Sequence, residues 1–211
     1  IEKLRYGENP HQDGNLYTAS QENNINQLHG KKLSFNNYND IFSALSVSKI
    51  FKKNVGSIII KHGNPCGVSS DSSPIKSFEH AFNCDPISSF GGIVFCNYKI
   101  KKELAYKLSK KFFEIIISKG FDKDALKILK KKINIRLIDF SKFNNLENFN
   151  TIFHKDLFLL QNNDDYKIKE KNLTVVSNKK PNKHQLKSLI FALRVCKYVK
   201  SNAIVLAKNI S

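Results

Sequence analysis

The chain is short of arginine, of closely spaced cysteines and of long apolar runs, and each shortage removes a class of function. Only Arg5, Arg136 and Arg194 are arginines, although the 211 residues carry 35 basic side chains against 18 acidic ones, a formal charge of +17. Such a balance alone points to nucleic acid or to an anionic ligand. Bidentate reading of guanine favours arginine, however, and the lysines are spread over 101–111, 127–132 and 167–187 without regularly interleaved aromatics. A general lysine and asparagine bias on solvated faces accounts for the charge, and a basic nucleic-acid-binding module becomes the weaker reading. Cys66, Cys84, Cys96 and Cys196 form no close pair. They read as reduced thiols of a cytoplasmic protein, and they lack the paired ligands with which a structural zinc site begins, so no metal is expected. Val55 to Ile60 falls far short of the ~20 apolar residues of a span, and Ile1 to Ser20 is too polar for a signal peptide. No membrane role is expected.

What the chain does contain is enough apolar material, 41% of its residues, to bury a real core. Residues 1–54 read as loops and short strands rich in Asn, Gln, Gly and His, followed by a helix over Ile41 to Lys53. Residues 55–138 read as an α/β core. Its strands are 55–60, Ile93 to Cys96, Phe112 to Ile117 and Ile133 to Ile138; its helices start at Pro74 and cover Lys102 to Lys111 and Lys123 to Lys132. Residues 139–211 are less regular, with strands at Leu157 to Leu160 and Leu173 to Val176, a helix over His184 to Lys197 and an apolar strand over Ala203 to Ala207. Alternation of this kind is the signature of a sheet covered by helices. An α/β chain that stops just after a core strand, with no crossover helix, reads as a fragment.

The stretch richest in chemistry is Lys61-His62-Gly63-Asn64-Pro65-Cys66-Gly67. Three isoleucines run into a cation and an imidazole, then into a turn, so a buried strand presents both groups at its carboxyl end, the edge where α/β proteins bind ligands. Successive residues of a strand face opposite ways, so Lys61 and His62 reach one substrate only if the strand ends or twists there. The Gly63-Asn64-Pro65 turn permits that. Histidine titrates near ~6.5 when unperturbed and suits proton transfer at neutral pH.

Four segments, in order and spacing, resemble one family: Leu4-Arg5-Tyr6-Gly7-Glu8-Asn9-Pro10-His11-Gln12, Lys61 to Gly67, Asp85-Pro86-Ile87-Ser88-Ser89-Phe90-Gly91-Gly92, and Val199-Lys200-Ser201-Asn202-Ala203-Ile204-Val205-Leu206-Ala207-Lys208. It is the bifunctional purine-biosynthesis family, in which AICAR (phosphoribosylaminoimidazolecarboxamide) formyltransferase is joined to IMP cyclohydrolase. The chain resembles the first half of the formyltransferase domain. The resemblance implies a truncated, cytidine-deaminase-like layered α/β fold without catalytic zinc. It implies formyl transfer from the cosubstrate 10-formyltetrahydrofolate to AICAR, by a homodimer in the full-length protein. It also implies residue roles: His62 as general base, Lys61 beside it as electrostatic or proton partner, and Asn202 as orienting and oxyanion donor.

In the same resemblance Arg5 and Tyr6 anchor the nucleotide, and arginine's planar fork suits a phosphate. Asn37 contacts substrate, Phe90 and Gly91 lie near the purine-precursor ring, and Glu114 lies near its carboxamide. Plainer accounts stand beside these: Asn37 and Asn202 as turn or cap residues, Phe90 as a core ring, Glu114 as a paired carboxylate in an apolar strand. His11 and Gln12 read as loop-ordering. Ser118-Lys119-Gly120 stands where the family has Ala-Pro. A half-domain that binds nucleotide without transferring formyl is the other reading the sequence leaves open.

Overall fold

The computed structural model describes residues 2–17, 25–52, 54–142, 149–164 and 166–210. In chain order the elements are β1 (Glu2–Lys3), β2 (Asn15–Leu16), β3 (Asn26–His29), α1 (Phe35–Ser48), β4 (Gly56–Lys61), β5 (Asn64–Ser70), α2 (Pro74–Cys84), β6 (Ile93–Cys96), α3 (Lys102–Ser109), β7 (Ile115–Ser118), α4 (Lys123–Leu129), β8 (Arg136–Asp139), β9 (Phe149–His154), β10 (Leu157–Asn162) and α5 (Lys183–Cys196). Six of the strands form one open mixed sheet in the order β3-β8-β7-β6-β4-β5.

Alternation along the strands builds the layers. Ile58, Ile60, Ile93, Phe95, Ile115, Ile117 and Ile138 face α1 and part of α5. Ile59, Val94, Cys96, Ile116 and Leu137 face α2, α3 and α4. Both faces are covered, which explains why these strands carry consecutive apolar residues rather than an apolar residue at every second position. α2 packs against β5 so closely that a Cβ on Gly67 would stand 1.9 Å from the Ala81 carbonyl oxygen. Only glycine fits that crossing.

Several elements differ from the sequence expectation, each for a local reason. α1 begins at Phe35, six residues before Ile41, because Ser34 and Asn37 form a capping box: the Ser34 hydroxyl accepts the Asn37 amide proton and the Asn37 side chain accepts that of Ser34. The expected end of that helix, Lys53, lies outside the described residues. The turn expected after Lys61 is present, at His62 and Gly63 rather than over Gly63-Asn64-Pro65, and Asn64 to Ser70, where no strand was expected, form β5, antiparallel to β4. β7 starts at Ile115, and Glu114 stands just before it, not inside an apolar strand. β8 likewise starts three residues after Ile133. Leu173 to Val176 and Ala203 to Ala207 are not strands. Ile204 and Leu206 project outward while Val205 packs on the core, and no described strand pairs with the segment.

One further correction concerns which edge of the sheet carries chemistry. β6, β7 and β8 are mutually parallel, but β4 runs antiparallel to β6 with Ile60 beside Ile93. The carboxyl end of β4 therefore lies at the amino ends of the three parallel strands. The edge expected from doubly wound sheets is the opposite one for every strand of that block.

Candidate functional site

The β4–β5 connection is a two-residue turn. Lys61 pairs with Asn64, and His62 and Gly63 between them have φ of 54° and 72°. Two consecutive positive φ values are the pattern of a type I′ hairpin turn. Gly63 adopts it freely; His62 pays roughly 1–2 kcal/mol for a left-handed conformation. The turn ends the alternation of the strand, and Lys61 and His62 both line one polar cleft of about 550 Å³.

The other walls come from segments far apart in sequence. The amino end of α1 supplies Ser34, Asn36, Asn37, Asn39 and Asp40; the entries to β6 and β7 supply Phe90, Gly91, Phe112 and Glu114. The first segment supplies Tyr6 and Glu8, and the stretch after α5 supplies Lys200. Backbone bonds fix these parts: the Phe35 amide donates to the Tyr6 carbonyl (3.2 Å), Gly91 to Phe112 (2.9 Å) and Glu114 to Gly92 (3.0 Å).

Within the cleft the Lys61 ammonium donates to the Phe90 carbonyl oxygen. The Phe90 and Phe112 rings pack with centroids 4.9 Å apart and their planes tilted by 37°, and Phe90 is 65% exposed, so it is a surface ring of the site rather than a core residue. Asn37 serves twice. Its side-chain oxygen is taken by the helix cap, while its amide group donates to a Glu114 carboxylate oxygen at 3.3 Å. Glu114 is also 3.8 Å from the guanidinium of Arg136, which is buried at the start of β8 and donates to the Lys31 carbonyl (3.1 Å). Burial, with Arg5 nearby, lowers the Arg136 pKa from the usual arginine range, against the pull of Glu114.

Arg5 is exposed and stacks on its neighbour: its guanidinium carbon lies 4.6 Å from the Tyr6 ring centroid and Nη2 donates to the Tyr6 hydroxyl at 2.7 Å. Arg5 is not among the cleft's lining residues, whereas Tyr6, which it contacts, is. Gln12 orders the first loop, since its side chain accepts from the Asn9 backbone amide at 2.7 Å. Asn202 is exposed and is not among the cleft's lining residues; Lys200 is the residue of that segment that reaches it. Sequence reasoning passed over Lys200, Asp40, Phe112 and Arg136. Two signals were present: Lys200 lies in a segment already singled out, and Arg136 is one of only three arginines.

Among the described residues no three His, Cys, Asp or Glu side chains converge to hold a metal ion. The Cys66 thiol instead donates to the Ile59 carbonyl, and burial pushes it above the ordinary thiol range. No helix among the described residues is long and apolar enough to cross a membrane.

An open α/β sheet that focuses an imidazole, two ammonium groups and an amide on one polar cleft has the layout of a small-molecule enzyme site. Residues 1–211 match the AICARFT/IMPCHase bienzyme family along their whole length, and the chain belongs to that family. The bifunctional purine biosynthesis protein PurH of Clostridium kluyveri is 41% identical over 215 residues, which cover 99% of this chain and 42% of that protein. PurH of Prochlorococcus marinus is 42% identical over 223 residues, covering 99% of this chain and 43% of that protein. The chain thus spans less than half the length of these relatives. Among solved structures, a formate dehydrogenase accessory protein from Desulfotalea psychrophila aligns at a TM-score of 0.41 with 13% identity, over 59% of this chain and 53% of that one. The dCMP deaminase of cyanophage S-TIM5 aligns at 0.36 with 13% identity, over 47% of this chain and 94% of that one.

Proposed function

We propose that the cleft is the amine-acceptor half of a formyltransferase site, in which the formyl group of 10-formyltetrahydrofolate passes to the 5-amino group of AICAR. The observation that carries this reading is the His62–Gly63 turn, after which Lys61 and His62 both line one cleft in a member of this family. The acceptor amine is conjugated to a ring bearing a carboxamide and is a poor nucleophile. His62 takes its proton as the nitrogen bonds to the formyl carbon; the carbonyl oxygen becomes an oxyanion, and Lys61 offsets that charge. Collapse breaks the bond to the folate nitrogen, which takes up the proton His62 had accepted and leaves as tetrahydrofolate, returning His62 to its neutral form.

In this reading Glu114 and Asn37 bind the carboxamide, the Phe90–Phe112 pair and Gly91 take the ring, and Tyr6 and Arg5 hold the ribose phosphate. The donor role that the resemblance gives Asn202 passes to Lys200, which lines the cleft. The 211 residues correspond to the first half of a cytidine-deaminase-like transferase domain in a cytoplasmic homodimer, and the folate pocket is completed by sequence that the longer relatives carry. The cleft holds Glu8, Asp40 and Glu114, which disfavours a nucleic-acid backbone there.

His62→Ala in the full-length protein tests the reading. Turnover should fall at least ~10²-fold, the usual cost of losing a general base, while AICAR binding by calorimetry changes little. A turnover near wild type would overturn it. The 211-residue chain by itself should bind AICAR more tightly than the unphosphorylated riboside and transfer no formyl group.

A further inference from the structure

We propose that Asp40 is the positioning residue of this site: its carboxylate pins the turn that carries His62 and supplies the negative charge that imidazole faces. The inference rests on the reading of His62 as proton acceptor. A histidine held at φ 54° needs a partner that makes the strained turn the stable one. That partner is one face of α1. Asp40 Oδ1 accepts the Gly63 amide proton at 2.6 Å, and the Ser43 hydroxyl donates to the Gly63 carbonyl at 2.9 Å. Asp40 and Ser43 are three apart on a helix and therefore neighbours on its surface. Both polar groups of the residue next to His62 are thus taken by a rigid element. On the other side Asn64 accepts the Lys200 backbone proton at 3.2 Å, and the Lys200 ammonium lies 3.3 Å from where a Cβ on Gly63 would stand.

A neutral amide could accept the Gly63 proton equally well, so holding the turn does not by itself call for a charge. Asp40 is half-buried, and burial raises its pKa, whereas the Gly63 amide, His62 and Lys200 favour its ionised form against the repulsion of Glu114. An acid kept at this cost next to the turn stabilises, through space, the imidazolium formed when His62 takes a proton. The titratable groups that line the cleft with it are Lys61 at the end of β4, His62 in the turn, Glu114 from the entry to β7, Tyr6 and Glu8 from the first segment, and Lys200 beyond α5.

Two variants of the full-length protein separate holding from charge. Asp40→Asn keeps an acceptor and removes the charge; Asp40→Ala removes both. Hydrogen exchange of a peptide spanning residues 60–66, read by mass spectrometry, should stay protected in Asp40→Asn and lose protection at least ~10-fold in Asp40→Ala. Turnover should drop ~10-fold or more in Asp40→Asn with KM for AICAR within about twofold, and further in Asp40→Ala. Full turnover in Asp40→Asn would overturn the charge role, and unchanged exchange in Asp40→Ala would overturn the clamp. Exchange does not depend on activity, so the clamp can stand even if His62→Ala turns over normally and the formyltransferase reading falls.

Discussion

Ile58, Ile59 and Ile60 of β4 are wholly buried between two helical layers, whereas Leu157, Phe158, Leu159 and Leu160 of β10 are each 58–73% exposed. The two runs look alike in sequence. They differ in what surrounds them: β4 sits between β5 and β6 in a six-stranded sheet, while β9 and β10 form a two-stranded antiparallel pair of their own. A sheet with helices on both faces can bury every residue of a strand, but a lone hairpin has no second layer to offer. Residues 2–142 thus hold most of the core and nearly all of the cleft. Residues 149–210 contribute Val195, some partly buried neighbours of the core, and Lys200.

The contrast is most easily broken by stability. Ile59→Ala should cost about 2–5 kcal/mol, the range for a deleted core side chain, and Leu159→Ala less than ~0.5 kcal/mol, by urea denaturation of the 211-residue chain. Equal losses would mean that β10 is covered in solution. A second test asks which residue of the later region serves the site. Lys200→Ala should weaken AICAR binding or turnover of the full-length protein ~10-fold, the scale of one charge-assisted hydrogen bond, and Asn202→Ala should have little effect. The reverse ranking would return the donor role to Asn202 and require the bend at 200–203 to rearrange around substrate.

The smallest effect sharpens the comparison from the core side. Cys96 is fully buried on β6, and that burial pushes its thiol up to about 12 from an ordinary value of 9.0. The folded state therefore keeps a proton that the unfolded chain releases, so stability is full below pH ~9 and declines as pH rises from there. Tyr38, raised to about 12 mainly by burial and then by Glu2, adds to the decline above pH ~10. Urea midpoints between pH 8.5 and 10 should fall less steeply in Cys96→Ala than in wild type; parallel slopes would show that the thiol is accessible.

Much of the first region was legible. Pro74 opening a helix, a helix starting at Lys123 and Ile93 to Cys96 as a strand carry local signals that survive folding. The α1 boundary was misplaced because Ser34 and Asn37 look like loop residues until their reciprocal bonds are seen. β5 was missed because Pro65, Cys66 and Gly67 weaken a strand pattern, yet pairing with Ile59 and Ile60 overrides it. Ala203 to Ala207 fails in the opposite sense: five apolar residues satisfy strand propensity, but no described strand lies beside them to pair.

The sequence by itself determined the kinds of chemistry available: a lysine and a histidine at the end of an apolar strand, an arginine–tyrosine pair near the start, and motifs that match one family. These are properties of covalent neighbours, and short-range order preserves them. Only the tertiary structure decided that β4 opposes the parallel block, so that its carboxyl end meets the amino ends of β6 and β7 and the start of α1. That meeting places Asp40 against Gly63, Asn37 against Glu114 and Lys200 beside the turn, across sequence separations of 23, 77 and 136. Hydrogen bonds across such separations form only after the sheet has met the entropy of closing those loops, and no local sequence pattern records them.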